Sequence, residues 1–318
     1  IPAENYPFCT IDPNVGIVDV PDSRPTKLAD IFNPQKTIPA TVEFVDIAGL
    51  VKGASHGEGL GNQFLSHIRD VNAVIHVVRL FKDENVSHME DVIDPIRDIE
   101  IVETELLIRD ITSVDKHIEK LLKTAKLGNK KSKETLDVLE IMRPRMNEGT
   151  MVKNIELNKS QNQKILQISL LTAKPTLYVA NVDEEEILSE RRSENVQQLF
   201  TLAEKRGNAA IKLCGNLEAE IATLQEEEKL AFIEEYKLSE AGLDKLIHAS
   251  YKLLELETFF TGGDIQAKAW TIKKGTPAKQ AAGEIHSDME RGFIKAEVYS
   301  CNGILTAGSE QALREAGK

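Results

Sequence analysis

Cysteine is scarce in this chain. The three present among 318 residues, Cys9, Cys214 and Cys301, are widely spaced and include no CxxC pair. That pattern excludes a disulfide framework and gives no sign of a zinc site. Long apolar runs are missing too: none approaches the roughly 18 residues that span a bilayer. The first residues show no charged-then-apolar leader. Basic charge is in deficit, with 39 Lys and Arg against 51 Asp and Glu and a net charge of −12. This balance suits a soluble cytoplasmic protein and argues against nucleic-acid binding over the whole surface, so any basic partner site must be local. No strand-like run is followed by GxGxxG and a ribose-binding acid, which disfavours a doubly wound dehydrogenase. What remains is a chain that is 41% hydrophobic, enough for a sizeable core and for two or three domains.

The stretch VEFVDIAGLVKGASHGEGLGNQF, residues 42–64, carries the first functional signal. Val42, Phe44 and Val45 are β-favouring, and Asp46 falls where the strand leaves its sheet. A carboxylate at a strand's carboxyl end sits where open α/β sheets bind ligands. Along the chain, short apolar runs alternate with helical patterns, as parallel strands joined by crossover helices do. Strands are expected at Val15–Val20, Val42–Asp46, Ala73–Val78, Thr176–Asn181 and Ala209–Leu213, and helices at Gly61–Asp70 and Ser193–Arg206. The interval from Val78 to Thr176 is far longer than one crossover needs and therefore holds an insertion.

Leu107, Ile111, Val114, Ile118, Leu121 and Ala125 alternate in steps of four and three, a coiled-coil-like seam that Leu136, Leu139, Met142 and Met146 continue on a second helix. Leu127-Gly128-Asn129 reads as the turn between them, giving an antiparallel helical arm. Lys116, Lys120, Lys123, Lys126, Lys130, Lys131 and Lys133 make its tip basic. Two readings stand for these lysines: a solvated helix face, or a tip that contacts RNA phosphates. After about residue 255 strand signals at Ala267–Ile272 and Ile294–Val298, turns at Gly262-Gly263 and Lys274-Gly275, and an amphipathic helix near Pro277–Ile285 suggest a small β-grasp-type module. The module stops short of a closing strand. Trp270 reads as part of its core, while His286 and Asp288 fit either a turn cap or a partner contact.

Asp46-x-x-Gly49 closing a strand is what a nucleoside-triphosphate site needs, a carboxylate near Mg²⁺ and a glycine N–H close to the γ-phosphate. Upstream, NYPFCTIDPNVG offers the Thr10 hydroxyl as a Mg²⁺ ligand. Downstream, one strand ends on Asn181 with Glu184 three residues on, and the next ends at KLCGNLEAE. With DIAGLVKGASHGEGLGNQFLSHIR, NVDE and AWTIKKGTPAKQAAGEIHSDMERGFI, these segments resemble the YchF/Obg-like ATPase family of Obg-related P-loop GTPases over almost the whole chain.

The resemblance implies a P-loop NTPase-type α/β fold with a parallel sheet, an inserted coiled-coil arm at about 97–150, an Obg-type G domain over 1–230 and a C-terminal β-grasp-like TGS module over 252–318. It implies Thr10 as the switch I ligand of Mg²⁺, Asp46 acting on the metal through water, and Gly49 at the start of switch II. Asn181, Val182 and Glu184 would form the base-recognition segment, with Cys214, Gly215 and Asn216 as the loop beside the base. His88 matches a family histidine proposed to orient the attacking water, although an exposed loop histidine without a role fits the same position. Leu50 stands where Ras-like enzymes carry the water-orienting Gln, so another group, K⁺ or a partner must supply that function, and intrinsic hydrolysis should be slow. Gly57, Gly59 and Gly61 read as a mobile switch sensing the γ-phosphate, or merely as a flexible loop. His56 and His67 are taken as structural.

In one respect the chain departs from the family pattern: no GxxxxGK[ST] phosphate loop is present. The chain therefore reads as a fragment lacking its first strand and phosphate loop and the last strands of its final module. In guanine-specific N-K-x-D motifs the Asp accepts from guanine's N1–H and exocyclic amine. Here Val182 and Glu184 replace the Lys and the Asp, and adenine, with an acceptor at N1 and an amine at C6, is no longer excluded. The expected function is a Mg²⁺-dependent hydrolase and switch preferring ATP over GTP. Its partners would be the ribosome or rRNA at the basic arm and proteins at the TGS-like module. The alternative is a non-catalytic, nucleotide-sensing scaffold that binds RNA or protein.

Overall fold

The computed structural model describes residues 14–47, 67–82 and 93–317. These fall into two compact units, one of residues 1–15 and 45–243 and the other of 16–44 and 244–318. The division passes through β1 (Asn14–Asp19) and β3 (Thr41–Asp46), which pair as a two-stranded sheet.

The first unit is built on a parallel sheet, β4 (Val74–Arg79), β5 (Thr176–Asn181) and β6 (Ala209–Leu213), with β5 in the middle. Register sets Arg79 opposite Asn181, and Asn181 opposite Leu213, so the carboxyl ends of the three strands are level. Leu177, Tyr178, Val179 and Ala180 are at most 1% exposed, as expected of a parallel strand covered on both faces. The crossover helix Glu194–Lys205 lays Val196, Leu199 and Ala203 on this strand. It is one residue shorter at each end than the expected Ser193–Arg206, because Ser193 and Arg206 are its caps. The strands meet the expected limits within one residue at each end for β4 and without displacement for β5 and β6. Residues 67–70 are helical; the rest of the expected helix 61–70 lies outside the described residues.

Between β4 and β5 rises the arm, a helix Pro95–Lys126 and an antiparallel return helix Lys130–Asn147. Asp94 caps the first, its carboxylate accepting from the amides of Ile96 and Arg97 at 3.1 and 3.0 Å. The turn needs Gly128, whose φ of 86° is left-handed, and Asn129, whose side chain accepts from Ser132 N at 3.1 Å and starts the return helix. Val114, Leu139, Met142 and Met146 are wholly buried where the helices meet, and Asp115 and Arg143 add a two-pronged ion pair with contacts of 2.6 and 3.0 Å. Thirty-two residues make the outgoing helix about 48 Å long.

Polar groups fix the arm's root. Tyr178 on β5 donates to Glu103 of the long helix at 2.5 Å and accepts from Asn208 at 3.1 Å; Arg206 pairs with the same carboxylate. Lys153, after the return helix, donates to Thr176 at 2.9 Å and Asn208 at 3.0 Å. Burial pushes the lysine down to about 8, opposed by Glu103, and pushes the tyrosine up to about 12. Two turns further out, buried Asp110 accepts from Leu171 N at 2.8 Å and from the amide and hydroxyl of Thr172, both at 2.7 Å.

In the second unit, β7 (Leu256–Thr261) and β8 (Gln266–Lys273) form an antiparallel pair, and β2 (Lys36–Ile38) joins β8 in parallel. Ile247 of the helix Gly242–Leu253 packs with Val20, Val42 and Ala269. The expected strand at Ala267–Ile272 lies within β8, and the expected helix near 277–285 is Ala278–Ile285. The strand expected at Ile294–Val298 does not form. Its alternating pattern suits a strand, but no described segment offers it a ladder, and Ile294 and Val298 stand 91% and 78% exposed. A strand without a partner has propensity and no hydrogen bonds to realise it.

Candidate nucleotide site at the carboxyl edge of the parallel sheet

The level ends of β5 and β6 bring two sequence-distant segments together. Val182 N donates to Leu213 O at 2.9 Å, extending the ladder one step past the strands. Asn181 then turns its Oδ1 to accept from Gly215 N at 2.9 Å. A Cβ on Gly215 would stand 3.3 Å from that oxygen, so glycine lets the two loops approach closely. Cys214 is buried, and burial pushes its thiol up, with the charges of Glu184 and Asp183 adding to the shift.

Val182 is 2% exposed and belongs to the hydrophobic core with Tyr178, Val196 and Leu199. Its side chain points into the protein and is not a surface for a base. Asp183 caps the helix Glu184–Leu188 by accepting from Glu186 N at 2.8 Å, which leaves Glu184 exposed in the first turn. Lys212 donates to the Glu186 carbonyl at 2.6 Å and so holds this turn against β6. Asn216 is exposed in the first turn after Gly215. Asn181, Glu184, Gly215 and Asn216 thus line one sheet edge, with Val182 and Cys214 beneath them. The Asn181 Nδ2 is a donor suited to a purine N7, an acceptor that adenine and guanine share.

Asp46 is the exposed last residue of β3. Thr10, Gly49, His88, His56 and Gly57, Gly59 and Gly61 lie outside the described residues, and His67 is half-buried at the start of the helical turn 67–70. Among the described residues no group of three or more His, Cys, Asp or Glu side chains is placed to hold a metal. A protein cage is not what Mg²⁺ in such a site requires, since that ion keeps several waters and takes one or two protein oxygens beside the substrate phosphates. The exposed Asp46 carboxylate fits that arrangement. The seven arm lysines, Lys116, Lys120, Lys123, Lys126, Lys130, Lys131 and Lys133, are all exposed.

His286 accepts from Asp288 N at 3.2 Å, as a cap does. Trp270 donates to Thr261 at 2.9 Å, stacks on Phe259 and lies under the Lys268 ammonium. Sequence reasoning missed the polar residues under the arm, Glu103, Asp110, Lys153 and Lys174. For two of them a signal existed: Glu103 and Asp110 fall on the same helical face as Ile99, Leu106 and Val114, where only burial or a fault explains a carboxylate.

A parallel sheet with Asn181, Glu184, Gly215 and Asn216 at its carboxyl edge, beside a strand β3 that ends on Asp46, is the arrangement of an α/β nucleotide-binding protein. The model of the 50S ribosome-binding GTPase family matches residues 1–108, and that of YchF-GTPase_C, described as a protein of unknown function, matches residues 256–318. The chain is 48% identical to the ribosome-binding ATPase YchF of Bacillus subtilis over 99% of its length and 86% of that protein's. With the protein of the same name from Escherichia coli O157:H7 it shares 45% identity, covering 100% of this chain and 87% of the relative. A solved structure, the Schizosaccharomyces pombe YchF GTPase, superposes with a TM-score of 0.84 at 36% identity, over 98% of this chain and 84% of that one. The chain belongs to the YchF family.

Proposed function

We propose that this chain is a ribosome-associated nucleoside-triphosphate hydrolase that prefers ATP over GTP, requires Mg²⁺ and acts as a switch. The observation that carries the ATP preference is the pair Val182 and Glu184. The position that a guanine-specific protein fills with a lysine stem over the base is here a buried core valine. The carboxylate follows on a helical first turn as the longer Glu, whose extra methylene moves its oxygens from where the shorter Asp pairs guanine's N1–H and amine and leaves them able to accept from adenine's C6 amine. The Asn181 amide suits the N7 that both purines share, so the preference rests on Val182 and Glu184.

In this reading Thr10 and Asp46 hold Mg²⁺, Asp46 through water, and Gly49 reads the γ-phosphate. His88 orients water, with K⁺ as a further aid, and Asn216 and Gly215 border the base. Mg²⁺ would draw charge from the phosphates during transfer. The G domain spans 1–230 with its arm near 97–150, and a TGS module over 252–318 receives protein partners. The ribosome assignment rests on the names of the relatives and on the exposed lysines of the arm, whose phosphate contacts would be with rRNA.

The test is a titration of labelled ATP and GTP with Mg²⁺ into the full-length protein and into a Glu184→Asp variant, which leaves the core at Val182 intact. ATP should bind more tightly to the wild type, and the variant should shift the ratio toward GTP by about tenfold, the value of one good hydrogen-bonded contact. A wild type that strongly prefers GTP overturns the reading of this segment.

A further inference from the structure

The segment resembling a γ-phosphate-sensing switch is flanked by Ile47 and Ile68, and both flanks rest on the arm's root. Ile68, 4% exposed, and Ile47 pack in one cluster with Val102 and Leu106 of the long helix and with Leu171. Just past Ile68, the carbonyls of Arg69 and Val71 accept hydrogen bonds from Lys174 Nζ, the former at 2.9 Å. Lys174 follows the turn Leu171–Ala173, which Asp110 grips through three hydrogen bonds of 2.7–2.8 Å. A continuous path therefore runs from the peptide groups at 69–71, through one lysine, to the middle of the arm's long helix.

The two ends of this path differ in stiffness. Asp110 is 1% exposed and its partners Leu171 and Thr172 are buried at 4% each, so the grip on the arm is shielded from water. Lys174 is half-buried, and its contacts are with carbonyls at the end of a helical turn, which water satisfies as readily. The joint is rigid toward the arm and breakable toward residues 67–71.

We propose that Lys174 and Asp110 form a joint coupling the nucleotide-responsive segment to the helical arm, so that nucleotide state sets the arm's affinity for its partner. This rests on the hydrolase reading above. By linkage, a partner bound to the arm alters nucleotide affinity by the same factor. Lys174 is a positioning residue: it touches neither nucleotide nor metal.

The experiment measures ribosome affinity of the full-length protein in its ATP and ADP states for wild type, Lys174→Met and Lys174→Arg, with basal ATP hydrolysis and thermal melting as companions. Wild type should bind ribosomes at least about fivefold differently in the two states, the lower end of ordinary allosteric coupling. Lys174→Met should bring that ratio within about twofold while leaving basal hydrolysis unchanged, and Lys174→Arg, which keeps a cationic donor, should retain most of it. A wild-type ratio in Lys174→Met overturns the joint alone, as does a wild type that hydrolyses ATP yet binds ribosomes alike in both states. A wild type that neither binds ATP nor hydrolyses it overturns the hydrolase reading, and the joint with it.

Discussion

Raising the pH from about 7.5 to about 9.5 should stabilise this protein, and one half-buried lysine accounts for the direction. Lys153 lies beneath the arm, donating to Thr176 and Asn208, and burial brings it from its ordinary 10.5 down to about 8. A lysine whose pKa is lowered by folding binds fewer protons folded than unfolded across the interval between the two values. Stability therefore rises with pH through that window. The full shift corresponds to about 3 kcal/mol of penalty on the charged form, and linkage over the stated pH step returns about 2 kcal/mol of it. For a chain of this size that amounts to about 3 °C in melting temperature. The assay is melting at closely spaced pH values for wild type and Lys153→Met, read as the difference between the two, so that other titrating groups cancel. The upper limit stays below about pH 10, where unfolded tyrosines begin to ionise and Tyr178, raised to about 12 by burial, works in the opposite direction. Parallel curves for the two proteins would refute the argument.

Three further outcomes follow from the same physics. Asp110→Ala strands two buried amides and a hydroxyl and should cost about 3–5 kcal/mol by denaturant unfolding, with Leu171 and Thr172 losing hydrogen-exchange protection. An unchanged midpoint would mean that water replaces the carboxylate. On the acid side, His76 on β4 is pushed from 6.5 down to about 4 by burial, so it folds neutral. Stability should fall as pH drops from about 6.5 toward 4, by about 2 kcal/mol after allowance for its partial exposure, and a His76→Gln variant should lack that component. At the arm tip, replacing Lys123, Lys126 and Lys130 with Gln should weaken ribosome binding and flatten its dependence on log salt by about 2 to 3 units of slope. An unaltered slope would return these lysines to a solvated face.

Much of the first unit was legible because its signals are local. Thr176–Asn181 and Ala209–Leu213 are short runs of β-formers with turn residues beyond them, and the arm's seam repeats often enough to specify both helices and the Gly128 turn. Pairing over long separations was not legible. Three residues, Lys36–Ile38, lie parallel to Gln266–Lys268, and nothing in either tripeptide names the other. Ile294–Val298 has strand composition and forms no strand, because a ladder is a property of two segments. At the site, the residue types at Asn181–Glu184 and Cys214–Asn216 were readable, whereas the contact between Asn181 and Gly215 and the inward turn of Val182 depend on the level ends of β5 and β6.

The arm is also a lever. Its long helix is gripped at Asp110, and the 16 residues from there to Lys126 extend it by about 24 Å. A tilt of about 10° at the grip carries the lysines at the tip through about 4 Å, more than the roughly 3 Å reach of a charged hydrogen bond. A displacement at the root too small to disturb the hydrophobic seam is thus large enough, at the far end, to make or break any contact those lysines form.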